Sequence, residues 1–192
     1  MFKFFNKKIF LDDLWENFQI ILDEISRDKP RINLLHKSGI LISDHKNNDF
    51  TKNIRKNIEE ILNEGEAATQ TLVDIVDDSS DMYWIILEDQ NSNDLLSSSY
   101  TCLNALNAND SLSNILALVI PFELIIEESM KEKIYLIFRV DTKSFYPFSP
   151  KFGEDKIRNK DIEKDLFNYL TRRKVNLENS EKKWLGIWGI PF

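Results

Sequence analysis

The chain has 192 residues, a formal net charge of -7 and a sequence pI of about 5.0, with 42% hydrophobic and 30% charged residues. This composition is typical of a globular protein with a sizeable core, and the length suits a single domain over residues 1–192. The acidic charge argues against nucleic acid as a partner, because phosphate binding needs clustered lysine and arginine. No apolar run approaches the roughly 20 residues that span a bilayer.

Cysteine usage limits the compartment and the chemistry. Cys102 is the only cysteine. An intrachain disulfide is therefore excluded, and so is a zinc site built from several thiolates. A chain without disulfides suits the reducing cytoplasm, which is the location that we predict.

Helical and strand-like patterns alternate in the first third of the chain. Apolar residues at helical spacing predict a first helix over about residues 12–27. The run INLLHKSGILIS predicts one or two short strands around a turn at Gly39. A second helix is expected from a cap at Thr51 to about residue 64, with Gly65 at its end.

The middle of the chain predicts a hairpin and a helix. Residues 69–76 and 82–88 are rich in β-branched and aromatic side chains and flank the polar run DDSSD. This arrangement is typical of an antiparallel hairpin. A helix is then expected from a cap at Asn93 or Asp94.

Long apolar strands are predicted near the end of the chain. Residues 114–126 and 133–140 read as a strand pair joined by a charged loop. Pro121 cannot donate a ladder hydrogen bond, so we expect it at a sheet edge or a bulge. A last helix is predicted over about residues 158–173, and the apolar tail of residues 178–192 follows it.

The order of these elements predicts an α+β fold. Hairpins and helices are segregated and do not alternate regularly, which favours an antiparallel sheet of about five strands with helices mainly on one face. If the helix near residues 51–64 is set aside as an insertion, the element order is similar to that of the dimeric type III secretion chaperones. That resemblance implies a homodimer as an alternative.

A search for catalytic motifs favours a non-enzymatic protein without cofactor or metal. No glycine-rich phosphate loop and no H-E-x-x-H motif is present. His36 and His45 lack the spacing of a helical metal pair. A hydrolase or metal enzyme that uses Cys102, His36 or His45 is the remaining enzymatic alternative, and it requires these groups to meet in one cleft.

The N-terminus combines basic and aromatic residues. Residues 1–11 are predicted to be flexible or to contact a surface, and lysines among aromatics are typical of a segment that lies on an anionic membrane. The alternative is that this segment folds onto the apolar face of the domain itself. The candidate membrane-contact residues are Phe2, Phe4, Phe5, Lys7 and Lys8.

Two aromatic motifs near the C-terminus carry a family resemblance. The first is F-Y-P-F-S-P, from Phe145 to Pro150, directly after an apolar strand. The second is W-L-G-I-W-G-I-P, from Trp184 to Pro191. Together they resemble the motifs of the PspA-associated protein PspAB family. The resemblance implies association with PspA, a coiled-coil, ESCRT-III-like protein of the membrane-stress response, and it implies no catalytic residues.

The aromatic motifs allow a structural and a functional interpretation. In the first, the aromatics fold back over the sheet edge and meet the tail, which closes the core. In the second, they form an exposed patch that accepts an amphipathic helix of a PspA-like partner. Partial exposure is expected for Phe152, Trp188 and Phe192. The candidate partner-binding residues are Phe145, Tyr146, Phe148, Phe152, Trp184, Trp188 and Phe192.

Overall fold

The structure is a computed structural model that describes residues 3–27, 29–43, 52–64, 69–78, 81–127, 130–151, 153 and 155–192, without the side chains of residues 3–10 and 127. The helices are α1 (Lys3–Ile25), α2 (Ile54–Leu62), α3 (Ser92–Ala108) and α4 (Lys160–Thr171). The strands are β1 (Ile32–Leu34), β2 (Lys37–Ser43), β3 (Leu72–Asp77), β4 (Met82–Glu88), β5 (Ile115–Glu127), β6 (Met130–Arg139) and β7 (Ser144–Phe148). Short 3₁₀ turns cover Leu112–Asn114 and Glu181–Lys183.

The strands form one antiparallel sheet. Their order is β3-β4-β2-β5-β6-β7, and β1 pairs with β5 beyond the end of β2. This confirms the predicted α+β class with an antiparallel sheet. The sheet has seven strands rather than about five, because β1 and β2 pair separately with β5 and the first aromatic motif forms the edge strand β7.

The predictions for Gly39 and Pro121 are wrong. Gly39 lies inside β2, opposite Val119, and the chain bends instead between β1 and β2. Pro121 lies in the central strand β5, whose register shifts fall at Leu116 on the β2 side and between Ile125 and Glu127 on the β6 side. The sheet tolerates this proline because it lies between the residues of β5 that pair with β1 and those that pair with β2. Its missing N–H therefore falls where the pairing changes from one strand to the other. Its carbonyl accepts a 3.0 Å hydrogen bond from the Leu35 N–H.

The helices lie mainly on one face of the sheet, as predicted, and bury a large apolar cluster there, while Phe167 of α4 also contacts Trp184 on the other face. Helix α3 is capped by Asn91, two residues before the first of the predicted caps Asn93 and Asp94, because the Asn91 side chain accepts hydrogen bonds from the N–H groups of those two residues. The predicted cap Thr51 and the predicted end Gly65 of the second helix lie outside the described residues. Helix α2 itself spans Ile54–Leu62 and buries Ile54, Ile58 and Leu62.

Helix α1 is longer than predicted and begins at Lys3 rather than near residue 12. No proline or glycine occurs over residues 3–25, so nothing in the sequence prevents the helix from beginning before residue 12. The segment of residues 1–11, expected to be flexible or surface-bound, is therefore mostly helical. The packed part of the helix buries Leu11, Leu14, Phe18, Ile21 and Leu22 against the sheet and the neighbouring helices.

A buried carboxylate ties α1 to α4. Glu24, only 2% exposed, accepts a hydrogen bond from the Tyr169 hydroxyl and forms ion pairs with Arg173 and Arg27. Burial works to raise the pKa of Glu24, but the hydrogen bond from Tyr169 and the charges of Arg173 and Arg27 outweigh it and hold the pKa below its usual range. The charged form of Glu24 is therefore the one that stabilises the fold.

Acid should weaken this contact. Because the pKa of Glu24 is lower in the folded chain than in the unfolded one, its stabilising contribution is present above the unfolded pKa and is lost as the pH falls through the folded pKa. We expect Glu24→Gln to lower the free energy of unfolding clearly at about pH 7 and much less at about pH 3. Urea unfolding at both pH values measures this difference.

The matched control is Glu16→Gln, on the exposed side of the same helix. This substitution should leave the stability within about 0.5 kcal/mol of wild type. An equally large effect of Glu24→Gln at both pH values would contradict the assignment.

Candidate functional site

The first aromatic motif forms the edge strand β7 and sends its rings to both faces of the sheet. Phe145 points to the helix face, with its ring 4.8 Å from that of Phe138 and 6.4 Å from that of Phe18. Tyr146 and Phe148 belong to the cluster on the opposite face. The motif is therefore part of the core on both sides of the sheet.

The second motif covers that opposite face. The Trp184 ring stacks on Tyr146 with centroids 6.4 Å apart, and the Trp188 ring meets Phe148 edge-on at 5.1 Å. Phe192 meets the buried Trp84 edge-on at 5.8 Å. The two motifs are thus two sides of one packing arrangement, as the structural interpretation predicts.

An arginine holds the tail beside β7. The Arg158 guanidinium donates hydrogen bonds to the carbonyl oxygens of Trp184 (2.7 Å) and Pro147 (3.2 Å). It also pairs with the buried carboxylate of Glu163 at 2.8 Å, and the same carboxylate accepts the Ser149 N–H at 2.8 Å. The start of the tail is therefore bonded to both β7 and α4.

The end of the tail fills a socket over β2. A Cβ placed on Gly39 would lie 2.4 Å from the Phe192 ring and 3.0 Å from Trp84, so only glycine leaves room for this ring. The Phe192 carbonyl oxygen accepts hydrogen bonds from Lys133 Nζ at 2.9 Å and from the Tyr135 hydroxyl at 3.3 Å. Burial lowers the pKa of Lys133 and raises that of Tyr135.

An apolar cavity remains open beside the tail, and we call it the tail groove. It has a volume of about 370 Å³. Leu116 is the extra residue of the β5 bulge and is 42% exposed, and Leu185 on the tail is 53% exposed. A bulge turns a side chain out of the regular pleat, which accounts for the exposure of Leu116. The apolar lining consists of Leu41, Ile115, Leu116, Ala117, Leu185 and Ile187.

The predicted partner-binding residues are mostly core residues. Phe145, Tyr146, Phe148 and Trp184 are buried, with exposures of 0%, 1%, 0% and 8%. Trp188 and Phe192 are half-buried, and Phe152 lies outside the described residues. Phe145 is buried under the helices, and Tyr146, Phe148 and Trp184 are buried between the sheet and the tail, so none of the four offers surface to a partner in this structure.

The candidate membrane-contact residues belong to the first turns of α1 or precede it. Phe2 lies outside the described residues, and so do the side chains of Phe4, Phe5, Lys7 and Lys8. The backbone of residues 3–10 continues the helix whose packed part begins at Leu11. Among the helices of the described chain, none is both long and apolar enough to cross a membrane.

The groups considered for catalysis do not form a cluster within the described residues. The Cys102 thiol is completely buried, and burial raises its pKa. His36 is exposed, and His45 lies outside the described residues. No group of three or more side chains suited to a metal ion occurs in the part of the chain that the structure describes.

Sequence reasoning missed several residues that shape this region. Gly39 did carry a signal, because a lone glycine within a strand-like run marks a close approach of another chain segment. Arg158 and Glu163 lie close in sequence, but their partners on β7 and the tail are distant. Leu116 becomes exposed only through the register shift between β2 and β5. No sequence pattern identifies that shift.

A double-mutant cycle tests the socket. Gly39→Ala places a methyl group where the Phe192 ring lies, and we expect it to lower the free energy of unfolding by about 1–3 kcal/mol. In a Phe192→Ala background the same change should cost at least about 0.5 kcal/mol less, because the ring is gone. Urea unfolding of wild type, both single variants and the double variant measures the coupling. Equal costs in both backgrounds would show that the ring does not fill this space.

Comparison with known proteins identifies the family of this chain. No curated protein and no solved structure matches this chain. A sequence model of the family described as PspA associated protein B matches residues 26–192. The matched range contains the whole sheet, both aromatic motifs and the tail, and it begins just after α1. The chain therefore belongs to the PspA associated protein B family.

Proposed function

We propose that this protein is a non-enzymatic adaptor that binds PspA, or a related coiled-coil protein, in a membrane or envelope stress response. The observation that carries the proposal is the family match over residues 26–192, whose description names PspA. The buried, high-pKa thiol of Cys102 supports a role without nucleophilic catalysis, because the thiolate is the reactive form. The proposed location is the cytoplasm, at the inner face of the membrane.

The tail groove is the proposed contact surface for the partner helix. The aromatic residues first considered for this role are held in the core, so a docking helix needs apolar surface elsewhere. Leu116 and Leu185 present such surface at the edge of a cavity, and anchor residues of a helix commonly fill pockets of this kind. The Arg139–Asp141 pair, joined at 2.9 Å, gives the groove a polar rim.

Binding to purified PspA tests the function and the surface together. Wild type should bind, and Leu116→Ser and Leu185→Ser should each weaken the affinity by about tenfold, because an anchor contact is lost. The matched control is Met130→Ser, which changes a 49% exposed apolar residue outside the groove. Titration calorimetry measures the affinities, and circular dichroism checks that the variants are folded.

The outcomes of this titration are distinct. Absence of wild-type binding to PspA would contradict the proposed function. Equal affinities for wild type and the groove variants would leave the function standing and move the contact surface elsewhere.

Membrane contact by the N-terminal segment is a separate part of the proposal. Lysines near an anionic surface each contribute about 1 kcal/mol of attraction, and the aromatics of this segment supply apolar area. Deleting residues 1–10 removes Lys3, Lys7 and Lys8 but leaves the buried residues of α1 in place. We expect the deletion to reduce flotation with liposomes that contain anionic lipid. Unchanged flotation would contradict membrane contact by this segment.

A chaperone-like homodimer that holds another client is the alternative. The surface offered to a client would again be the groove and the exposed leucines beside it. Light scattering distinguishes the two proposals, because a strictly monomeric mass contradicts the homodimer and leaves the adaptor unaffected.

A further inference from the structure

The two outer strands of the sheet, β7 and β3, differ in whether another segment of the chain is hydrogen-bonded to their outer side. At β7 the Phe145 N–H donates to the Asn176 carbonyl at 2.9 Å, and the Phe145 carbonyl accepts the Glu178 N–H at 2.8 Å. That edge is therefore covered by the chain itself. At the other edge β3 pairs only with β4, and no other segment within the described residues adds backbone hydrogen bonds to its outer side.

The register shows which backbone groups of β3 face outward. The Asp78 N–H donates a hydrogen bond to the Met82 carbonyl at 2.9 Å. Asp78 and Met82 are therefore a hydrogen-bonded pair, and they continue the register in which Asp77 lies opposite Tyr83. Hydrogen-bonded pairs alternate along an antiparallel ladder, so the even-numbered residues of β3 face β4. The N–H and C=O groups of Val73, Ile75 and Asp77 consequently point away from the sheet.

One of these outward groups is already occupied by the strand itself. The Asp74 carboxylate accepts the Ile75 N–H at 2.9 Å. Such a side chain satisfies the donor that an incoming strand would use, which is a common protection of edge strands. The carboxylate is 63% exposed, and Arg55 approaches it at 3.7 Å. A basic side chain of a partner that pairs with this carboxylate more closely than Arg55, which also pairs with Glu59 at 3.0 Å, can draw it away and release the N–H.

A groove follows this edge. It has a volume of about 600 Å³, and α2 lines one side of it while Pro191 of the tail lies on another. Leu72, 67% exposed, and Val76 lie two pleats apart on the same side of β3 and provide apolar contacts. The edge thus offers outward backbone groups and an apolar anchor, which are the two requirements for adding a strand.

The charge of the edge limits the partner. Asp74 and Asp77 are exposed on β3, and the exposed Asp81 follows in the turn to β4. A second copy of this chain would bring another acidic edge against the first, and like charges across a strand pair are destabilising. A segment with lysine or arginine would instead form ion pairs there.

We propose that the outer edge of β3 binds an extended, basic segment of another protein as an eighth strand. Apolar side chains of the segment contact Leu72 and Val76, and a basic side chain draws the Asp74 carboxylate from the Ile75 N–H, which then joins the new ladder. This surface is separate from the tail groove, and the inference does not depend on the binding of PspA.

A short synthetic peptide with the order valine, threonine, lysine, threonine, valine is the probe, because Leu72, Asp74 and Val76 lie on one side of β3 and the side chains that contact them must share one side of the added strand. Nuclear magnetic resonance of the labelled full chain follows the amides of Val73, Ile75 and Asp77, which should shift and become protected from exchange with solvent. A peptide with glutamate in place of lysine is the matched ligand control and should not bind.

Two variants separate charge from apolar contact. Asp74→Asn keeps an acceptor for the Ile75 N–H but removes the charge, and it should weaken binding about fivefold. Leu72→Ser should weaken it by a similar factor. The matched control is Asp161→Asn, an exposed acidic residue of α4, which should bind like wild type. Unchanged amide spectra outside β3 show that the variants are folded.

Several results would overturn the proposal. These are equal binding of the lysine and glutamate peptides, shifts that map away from β3, or no binding of the lysine peptide. A concentration-dependent dimer of the chain that shifts the same three amides would assign the edge to a second copy instead.

Discussion

The packing of the C-terminal tail across the second face of the sheet is the contact on which the rest of the structure depends. An antiparallel sheet commonly leaves one face in water and shows alternating apolar and polar residues. Here β2 and β7 are buried almost throughout, because helices cover one face and the tail covers the other. Trp84, Tyr146 and Phe148 would face water if the tail were absent. The tail therefore completes the core.

Polar side-chain contacts help to hold the tail and α1 in place. The tail is bonded through Arg158 and Glu163, and α1 is bonded to α4 through Glu24. Each carboxylate is almost fully buried, so removing one charge of a pair leaves the other without compensation. These contacts select one position for the tail and for α1, which apolar packing alone specifies less strictly.

The aromatic motifs that identify the family maintain its fold, and this changes where function should be sought. The rings of Phe145, Tyr146 and Phe148 are buried on one face of the sheet or the other and have no surface left for a partner. The surfaces that remain are the tail groove, which exposes leucines around a cavity, and the outer edge of β3, which exposes backbone groups between acidic side chains. They differ in chemistry, because the groove is lined by apolar side chains and the edge by backbone groups and carboxylates.

Local patterns in the sequence determined most of the elements and the family. Apolar spacing predicted the helices, the β3–β4 hairpin and the long β5–β6 pair, because these depend on neighbours in the chain. Paired motifs identified the family, and one of the two interpretations that their aromatic content allowed had the first motif meet the tail. Only the tertiary structure decided that Gly39 is a socket for Phe192, that Pro121 stands in a central strand and that Leu116 is turned outward. Each of these results depends on which distant segments become neighbours and in which register, and no local pattern carries that information.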